Sequence, residues 1–323
     1  MTVKIGFIGV GGIAQLHIDS LLRINDVKIV SVFDVNGENA AAVAAKTGAE
    51  VVATADQVLD PSRIDAVFIC TPQFAREDLE EVAAGRGIHL FVEKPLGLDV
   101  DVVRKKEQTI REAGVIQSVG YCLRYLDTVQ KAKAYLAGRS VHLIQAFRFG
   151  GAHPARWWNR LETSGGHLVD AVTHQIDMIR YISGEFSEVE AKFGRVSFEK
   201  LNPDVTIYDA GAITFTMESG AVGNITESCL SPHYSASDIK VFGPDFFLHL
   251  SNNGHTLTII DSTQNITETT KVEAYFEQSK AFIEAVISGS QAPILSSYAE
   301  GLQTLAVTLA ANKSFEARAT ISV

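Results

Sequence analysis

The residues of this chain best suited to moving a proton are Asp170 and His174, four positions apart, and Lys94, set between Glu93 and Pro95. An imidazole can take a proton from an alcohol near neutral pH, an ammonium can hold the alkoxide as it forms, and a carboxylate can orient either partner. A third segment, Gly9-Val10-Gly11-Gly12-Ile13-Ala14, can cradle a pyrophosphate. Taken together, the three read as hydride transfer.

Each has a plainer reading. Lys94 follows the apolar run Leu90-Phe91-Val92, which places it at the carboxyl end of a parallel strand, where ligands bind in open α/β sheets. A single strand-end lysine is more often a surface charge. The run Gly165-Gly166-His167-Leu168-Val169-Asp170-x-x-x-His174-x-x-Asp177 puts Asp170, His174 and Asp177 at i, i+4 and i+7 on one helical face. In one reading His174 is a general base and Asp170 holds the substrate or the imidazole. In another, His167, Asp170, His174 and Asp177 gather a metal ion. A polar helix edge with satisfied hydrogen bonds is the third.

The glycine segment directly follows the apolar run Val3 to Ile8 and opens a helical pattern, which is the context a dinucleotide loop requires. Gly9 allows the tight turn, and Gly11 has no Cβ to block the pyrophosphate. Ala14 is small where helix meets sheet, and the helix start offers unpaired N–H groups. Asp34 ends the next strand at about the offset of the acid that binds a ribose 2′-hydroxyl, and its charge would repel a 2′-phosphate. NAD is therefore expected over NADP.

These pieces need a scaffold of strands and helices. From residue 3 to about 120, apolar runs at Val3 to Ile8, Val27 to Phe33, Ala66 to Cys70, Ile88 to Val92 and Val115 to Val119 alternate with helical patterns. The helical patterns cover Ile13 to Ile24, Gly37 to Thr47, Ala75 to Ala84 and Asp99 to Ala113, so the whole predicts a doubly wound parallel sheet. Beyond Tyr121 come a helix near 128–136, a strand over 141–149 and a helix from about Gly165. Strands near 187–198, 206–217, 221–229, 236–242, 245–250 and 255–261 follow, with turn signals between them, and they predict a large, mostly antiparallel open-faced sheet. Helices near 272–288 and 297–314 come last. The expected domains are 1–121 for the nucleotide and 122–323 for substrate and oligomerisation, with the last helix able to pack back on the first domain.

Bulk properties narrow the function. At 323 residues two cores are expected. Hydrophobic residues make up 46% and the net charge is -10, which supports packed cores and disfavours nucleic acid or an anionic membrane surface as partner. Cys70, Cys122 and Cys229 are odd in number and lie in apolar stretches, as buried thiols of a reducing compartment do. The sequence runs from Met1 into a strand without a signal-like stretch and has no run long enough to span a bilayer, so the expected location is the cytoplasm. No metal ligand set with cysteine spacing occurs.

These residues resemble the Gfo/Idh/MocA group of glucose-fructose oxidoreductases and inositol dehydrogenases. The likeness runs through the glycine loop, Cys70-Thr71-Pro72, Val92-Glu93-Lys94-Pro95-Leu96, Gly165-Gly166-x-Leu168-x-Asp170-x-x-x-His174-x-x-Asp177 and Tyr298-Ala299-Glu300-Gly301-Leu302. It implies a Rossmann domain for NAD or NADP and an α/β domain that shapes the substrate cleft and packs on another subunit, as a homodimer or homotetramer. It also implies that His174 accepts the proton, that Lys94 binds and activates the hydroxyl, and that Asp170 holds substrate. Thr71 and Pro72 would line the cofactor site, and Glu93 and Pro95 would set the lysine strand and the nicotinamide pocket. One departure stands out. The family often has His where this chain has Arg76, which could equally be a surface residue at a helix start.

The implied substrates are sugars, sugar acids and cyclic polyols, oxidised at a secondary alcohol. Arg124 could meet a substrate carboxylate, phosphate or hydroxyl, or simply pack along its stem. Trp157 and Trp158 could stack on a sugar or belong to a core, and His153, His233 and Tyr234 are weaker candidates. Two other activities fit the same resemblance: an NAD-retaining glycoside hydrolase that oxidises transiently, and a non-catalytic nucleotide-sensing regulator.

Overall fold

β-branched and aromatic residues in short apolar runs form the first sheet, as their fit to a pleated, buried surface dictates. The computed structural model describes residues 2–201 and 204–323, and Met1 lies outside them. Six parallel strands, β1 (Val3–Ile8), β2 (Val27–Phe33), β3 (Glu50–Val51), β4 (Ala66–Ile69), β5 (His89–Val92) and β6 (Gln117–Val119), take the order β3-β2-β1-β4-β5-β6. That is the order of a dinucleotide-binding sheet, with its reversal beside β1. Apolar runs in the sequence predict five of these strands. The sixth, β3, is two exposed residues at the sheet edge, too short to carry an apolar signature.

Helices Gly12–Leu21 and Ala274–Ser288 pack together and against this sheet. Ala14, Ile18 and Leu21 from the first helix and Phe282, Ile283 and Val286 from the second share one core with Ile5, Phe7 and Phe68. Phe68 stacks on Phe91 at 4.5 Å, and Phe282 meets Phe68 edge-on at 5.4 Å, the offset and T-shaped arrangements that aromatic quadrupoles favour.

By its internal contacts the chain forms two compact units: residues up to Cys122 with Glu273–Leu302, and Leu123–Val272 with Gln303–Val323. The helix Tyr298–Ala317 thus begins in the first unit and ends in the second.

The second unit holds β7 (Leu143–Phe149), β8 (Phe186–Gly194), β9 (Ala210–Met217), β10 (Val222–Ser228), β11 (Ala236–Phe242), β12 (Phe246–Ser251), β13 (Thr256–Asp261), β14 (Asn265–Thr269) and β15 (Ile321–Ser322). They form one nine-stranded sheet, ordered β14-β13-β12-β11-β7-β10-β9-β8-β15. All neighbours are antiparallel except β7 and β10. The strand expected over 187–198 stops at Gly194, and Phe198–Leu201 is a short helix. Period-2 alternation gives this sheet one buried face, with Ile144, Ile225, Ile239, Val241, Leu248 and Ile259 nearly inaccessible. Helices Asp127–Leu136 and Thr173–Ser183 lie against β7, β11, β12 and β13. Phe147, Phe149, Phe242 and Phe247 are half-buried on the opposite face.

Candidate functional site

In the first unit the turn after β1 is built for close approach. Gly9 has φ +81°, and a Cβ there would lie 2.8 Å from Thr71 Cγ2 and 2.9 Å from the Thr71 nitrogen. At Gly11 and Gly12 a Cβ would meet nothing within 4 Å, so this backbone borders open space. Gly11 precedes the helix Gly12–Leu21 and supplies no side-chain cap, leaving the helix's first N–H groups and its positive dipole end for an anion. Ile13 is half-buried and Ala14 fully buried, so Ala14 serves helix packing.

Asp34 is fixed by two backbone amides. The Val10 N–H donates to Oδ2 at 2.7 Å and the Asn36 N–H to Oδ1 at 2.8 Å. Each oxygen keeps a lone pair for a ribose hydroxyl. Thr71 Oγ1 is buried without a hydrogen-bond partner, beside Gly9, and Pro72 is half-buried. An open glycine backbone, an anchored carboxylate and an orphaned hydroxyl fit a bound dinucleotide.

Lys94 is half-buried and joined to Pro95 by a cis peptide bond. Glu93, beneath it, points inward. Its Oε1 lies 2.8 Å from His17 Nε2, and its Oε2 accepts the Lys94 N–H at 3.0 Å. The carboxylate rests on Gly120, where a Cβ would come within 2.5 Å of Oε2. His17 is fully buried, with its Nδ1 3.3 Å from Ser279 Oγ. Glu93 therefore holds the lysine turn from inside. His17 was missed in the sequence, although it sits in the stripe Ala14, His17, Ile18, Leu21, where a polar residue at i+3 of an apolar face signals a buried partner.

Arg76 is 1% exposed and hydrogen-bonded to backbone carbonyls, which corrects its reading as a surface residue. The thiols are inert. Burial, with Glu93 adding to it, pushes Cys122 up to about 12, and burial, with Glu227 and Asp209, pushes Cys229 up to about 12. Both stay protonated at neutral pH and are poor nucleophiles.

In the second unit, among residues 164–180 only Asp170, Ala171 and His174 are not buried. A π-helical turn spans Leu168–Val172 before the regular helix Thr173–Ser183. This turn shifts the phase assumed for an unbroken helix, and Asp177, expected on the same face, is 1% exposed. π turns of this kind recur at functional sites. Trp158 Nε1 donates to Asp170 Oδ2 at 2.7 Å. Trp158 is 3% exposed and clusters with Val205, Ile207 and Cys229, against which the half-buried Trp157 packs. The core reading thus replaces sugar stacking for Trp158.

Two of the four residues of the metal reading have buried partners of their own. His167 pairs with the buried Glu227 carboxylate. Asp177 accepts Arg124 Nε at 2.9 Å, Arg124 Nη2 at 2.8 Å and Thr304 Oγ1 at 3.0 Å. Among the described residues no group of three or more His, Cys, Asp or Glu side chains is placed to hold a metal ion. Arg124 is itself 1% exposed. Its bidentate pair with Asp177 ties the segment after β6 to the helix Thr173–Ser183, so burial removes it from the substrate candidates. His153 and Tyr234 are exposed.

No helix is long and apolar enough to cross a membrane among the described residues. Residues 3–121 match the family model described as an oxidoreductase family with an NAD-binding Rossmann fold, and residues 130–246 match the GFO/IDH/MocA C-terminal domain. Myo-inositol 2-dehydrogenase of Thermotoga maritima is 28% identical over 99% of this chain and 98% of its own. The NAD-dependent scyllo-inositol 2-dehydrogenase of Bacillus subtilis is 28% identical over 97% and 94%. The solved structure of levoglucosan dehydrogenase with NADH and levoglucosan superposes with TM-score 0.90 at 20% identity, over 100% of this chain and 99% of that one, and so shares the fold. Two matched domains in sequence, on a dinucleotide sheet followed by a mostly antiparallel one, place the chain in the Gfo/Idh/MocA family of NAD-binding oxidoreductases.

Proposed function

We propose that the protein oxidises a secondary alcohol of a cyclic polyol, sugar or sugar acid, reversibly and with NAD. The observation that carries this reading is the opening of an otherwise buried helical segment at Asp170, Ala171 and His174 alone, which presents an acid–base pair to a ligand. Relatives that act on inositols support the substrate class. The His174 imidazole takes the hydroxyl proton. In its own unit the Lys94 ammonium supplies a donor able to stabilise charge that develops on a hydroxyl oxygen. Asp170, held by Trp158, accepts a hydrogen bond from a neighbouring hydroxyl. Gly9, Gly11, Gly12 and the start of the helix bind the pyrophosphate, and Thr71 donates its hydroxyl. NAD, when bound, supplies the hydride acceptor.

The test is NADH absorbance with purified protein, NAD and a panel of inositols, hexoses, uronic acids and sugar phosphates. Absorbance growing with one class is expected and names the substrate. Silence throughout, with NADH binding demonstrated by fluorescence, would overturn the reading.

Asp34 selects the cofactor in this proposal, since a carboxylate locked by two amides cannot turn away from a 2′-phosphate. Asp34→Ala is expected to bring the NAD and NADP dissociation constants closer by about tenfold or more, as loss of a charge contact worth at least ~1.4 kcal/mol does. An unaltered ratio would remove Asp34 from cofactor choice.

A further inference from the structure

Arg76 is a charged side chain buried in the first unit that the proposed chemistry leaves unused. Its Nε donates to the Thr71 carbonyl at 3.0 Å and its Nη1 to the Pro95 carbonyl at 2.9 Å. Thr71 follows β4 and Pro95 follows β5, so one guanidinium bridges the turns at the carboxyl ends of two neighbouring parallel strands. Ligands bind at such ends. Behind it stands Glu80, fully buried, with Oε1 3.7 Å from Arg76 Nη1. Glu80 Oε2 accepts the Tyr298 hydroxyl at 2.7 Å and lies 3.2 Å from Lys106 Nζ. Glu80 thus balances the guanidinium's charge and is itself held from the last helix and from the helix Val100–Ala113. A rigid planar fork holds two carbonyls in one fixed geometry, whereas the three donors of a lysine turn on a flexible stem and a neutral histidine has a single N–H.

We infer that Arg76 is a positioning residue that sets the distance between the Thr71-Pro72 turn and the Lys94-Pro95 turn, and so the placement of the Thr71 hydroxyl and the Lys94 ammonium. The inference rests on the roles proposed above for those two side chains. The arginine reaches both turns at once.

Arg76→Lys keeps the charge beside Glu80 and the apolar stem while losing the fork, and Arg76→His serves if the lysine variant does not fold. Hydrogen exchange on the cofactor-free protein is expected to quicken about tenfold at amides 71–79 and 93–98, with β1 and the helix Gly12–Leu21 unchanged, because local openings have their own free energies. NADH binding followed by fluorescence is expected to weaken by about threefold or more. With the substrate that the panel assay identifies, kcat should fall about tenfold or more while KM moves less than about threefold, as misplaced catalytic groups produce. Unchanged exchange at both turns would overturn the inference whatever the activity. So would faster exchange spread evenly over the unit, which marks general destabilisation. A Lys94→Ala enzyme with normal turnover would remove the Lys94 assignment instead, and exchange and NADH affinity would still decide whether Arg76 sets the turns.

Discussion

His174→Ala is expected to lower turnover by about 10²- to 10⁴-fold, the range that a positioned general acid–base group supplies. The site favours a clean result. His174 lies within the helix Thr173–Ser183 and is only half-buried, and alanine is the strongest helix former, so the backbone has no reason to move. NADH affinity should stay near that of the parent, because the substitution leaves Gly9, Gly11, Gly12 and Asp34 unchanged. Loss of turnover with intact NADH binding and an unchanged melting temperature is the pattern that identifies the base. Turnover within about threefold of the parent would sink the assignment and leave Lys94 as the group to test for proton transfer.

The second large effect concerns the nucleotide turn. Gly9→Ala places a methyl group where φ is +81° and where Thr71 Cγ2, the Thr71 nitrogen and the Cys70 carbonyl carbon lie 2.8, 2.9 and 3.0 Å away. A left-handed conformation costs a non-glycine residue about 1 to 3 kcal/mol, and two of the three neighbours are backbone atoms that cannot swing aside. The β1 and β4 turns must separate. NADH affinity is expected to fall by about tenfold or more, with a lowered melting temperature. Gly11→Ala makes the contrast. Its Cβ would meet no protein atom within 4 Å, so the melting temperature should hold while NADH affinity falls, because the methyl group occupies space the pyrophosphate needs. Normal NADH binding by both variants would exclude this turn as the nucleotide site.

Much of this was legible in the sequence because apolar periodicity and turn chemistry are local. The helix Gly37–Thr47 matches its expected bounds, and β2 and β11 match theirs. β14 and β15 were not legible: Asn265–Thr269 is polar and exposed, and Ile321–Ser322 forms a strand only by pairing with β8. β15 is defined by a neighbour far away in sequence, and β14 by its pairing with β13 rather than by an apolar signature of its own. The side chains divide in the same way. Asp170 and His174 could be read from spacing, but the π turn that shifts the phase between them and Asp177 could not. The ties from Arg76 to Thr71 and Pro95, from Glu80 to Tyr298, from His167 to Glu227 and from Arg124 to Asp177 pair residues that no local pattern connects. That is why Arg124 looked like a ligand contact and Arg76 like a surface residue.

The return of Glu273–Leu302 to the first unit governs how the chain can fold as it is synthesised. About 150 residues separate Cys122 from Glu273, and at roughly 5 to 20 residues per second a ribosome needs on the order of 8 to 30 s to add them. Throughout that interval the emerging six-stranded sheet lacks Phe282, which packs edge-on against Phe68 and Phe91. It also lacks Gln278 and Ser296, whose side chains donate to the Val119 carbonyl. One apolar face and one strand-end carbonyl wait uncovered until the later segment arrives. A nascent chain paused in that window is the form of this protein most exposed to chaperones and to aggregation, and a fragment cut at Cys122 would keep that uncovered surface permanently.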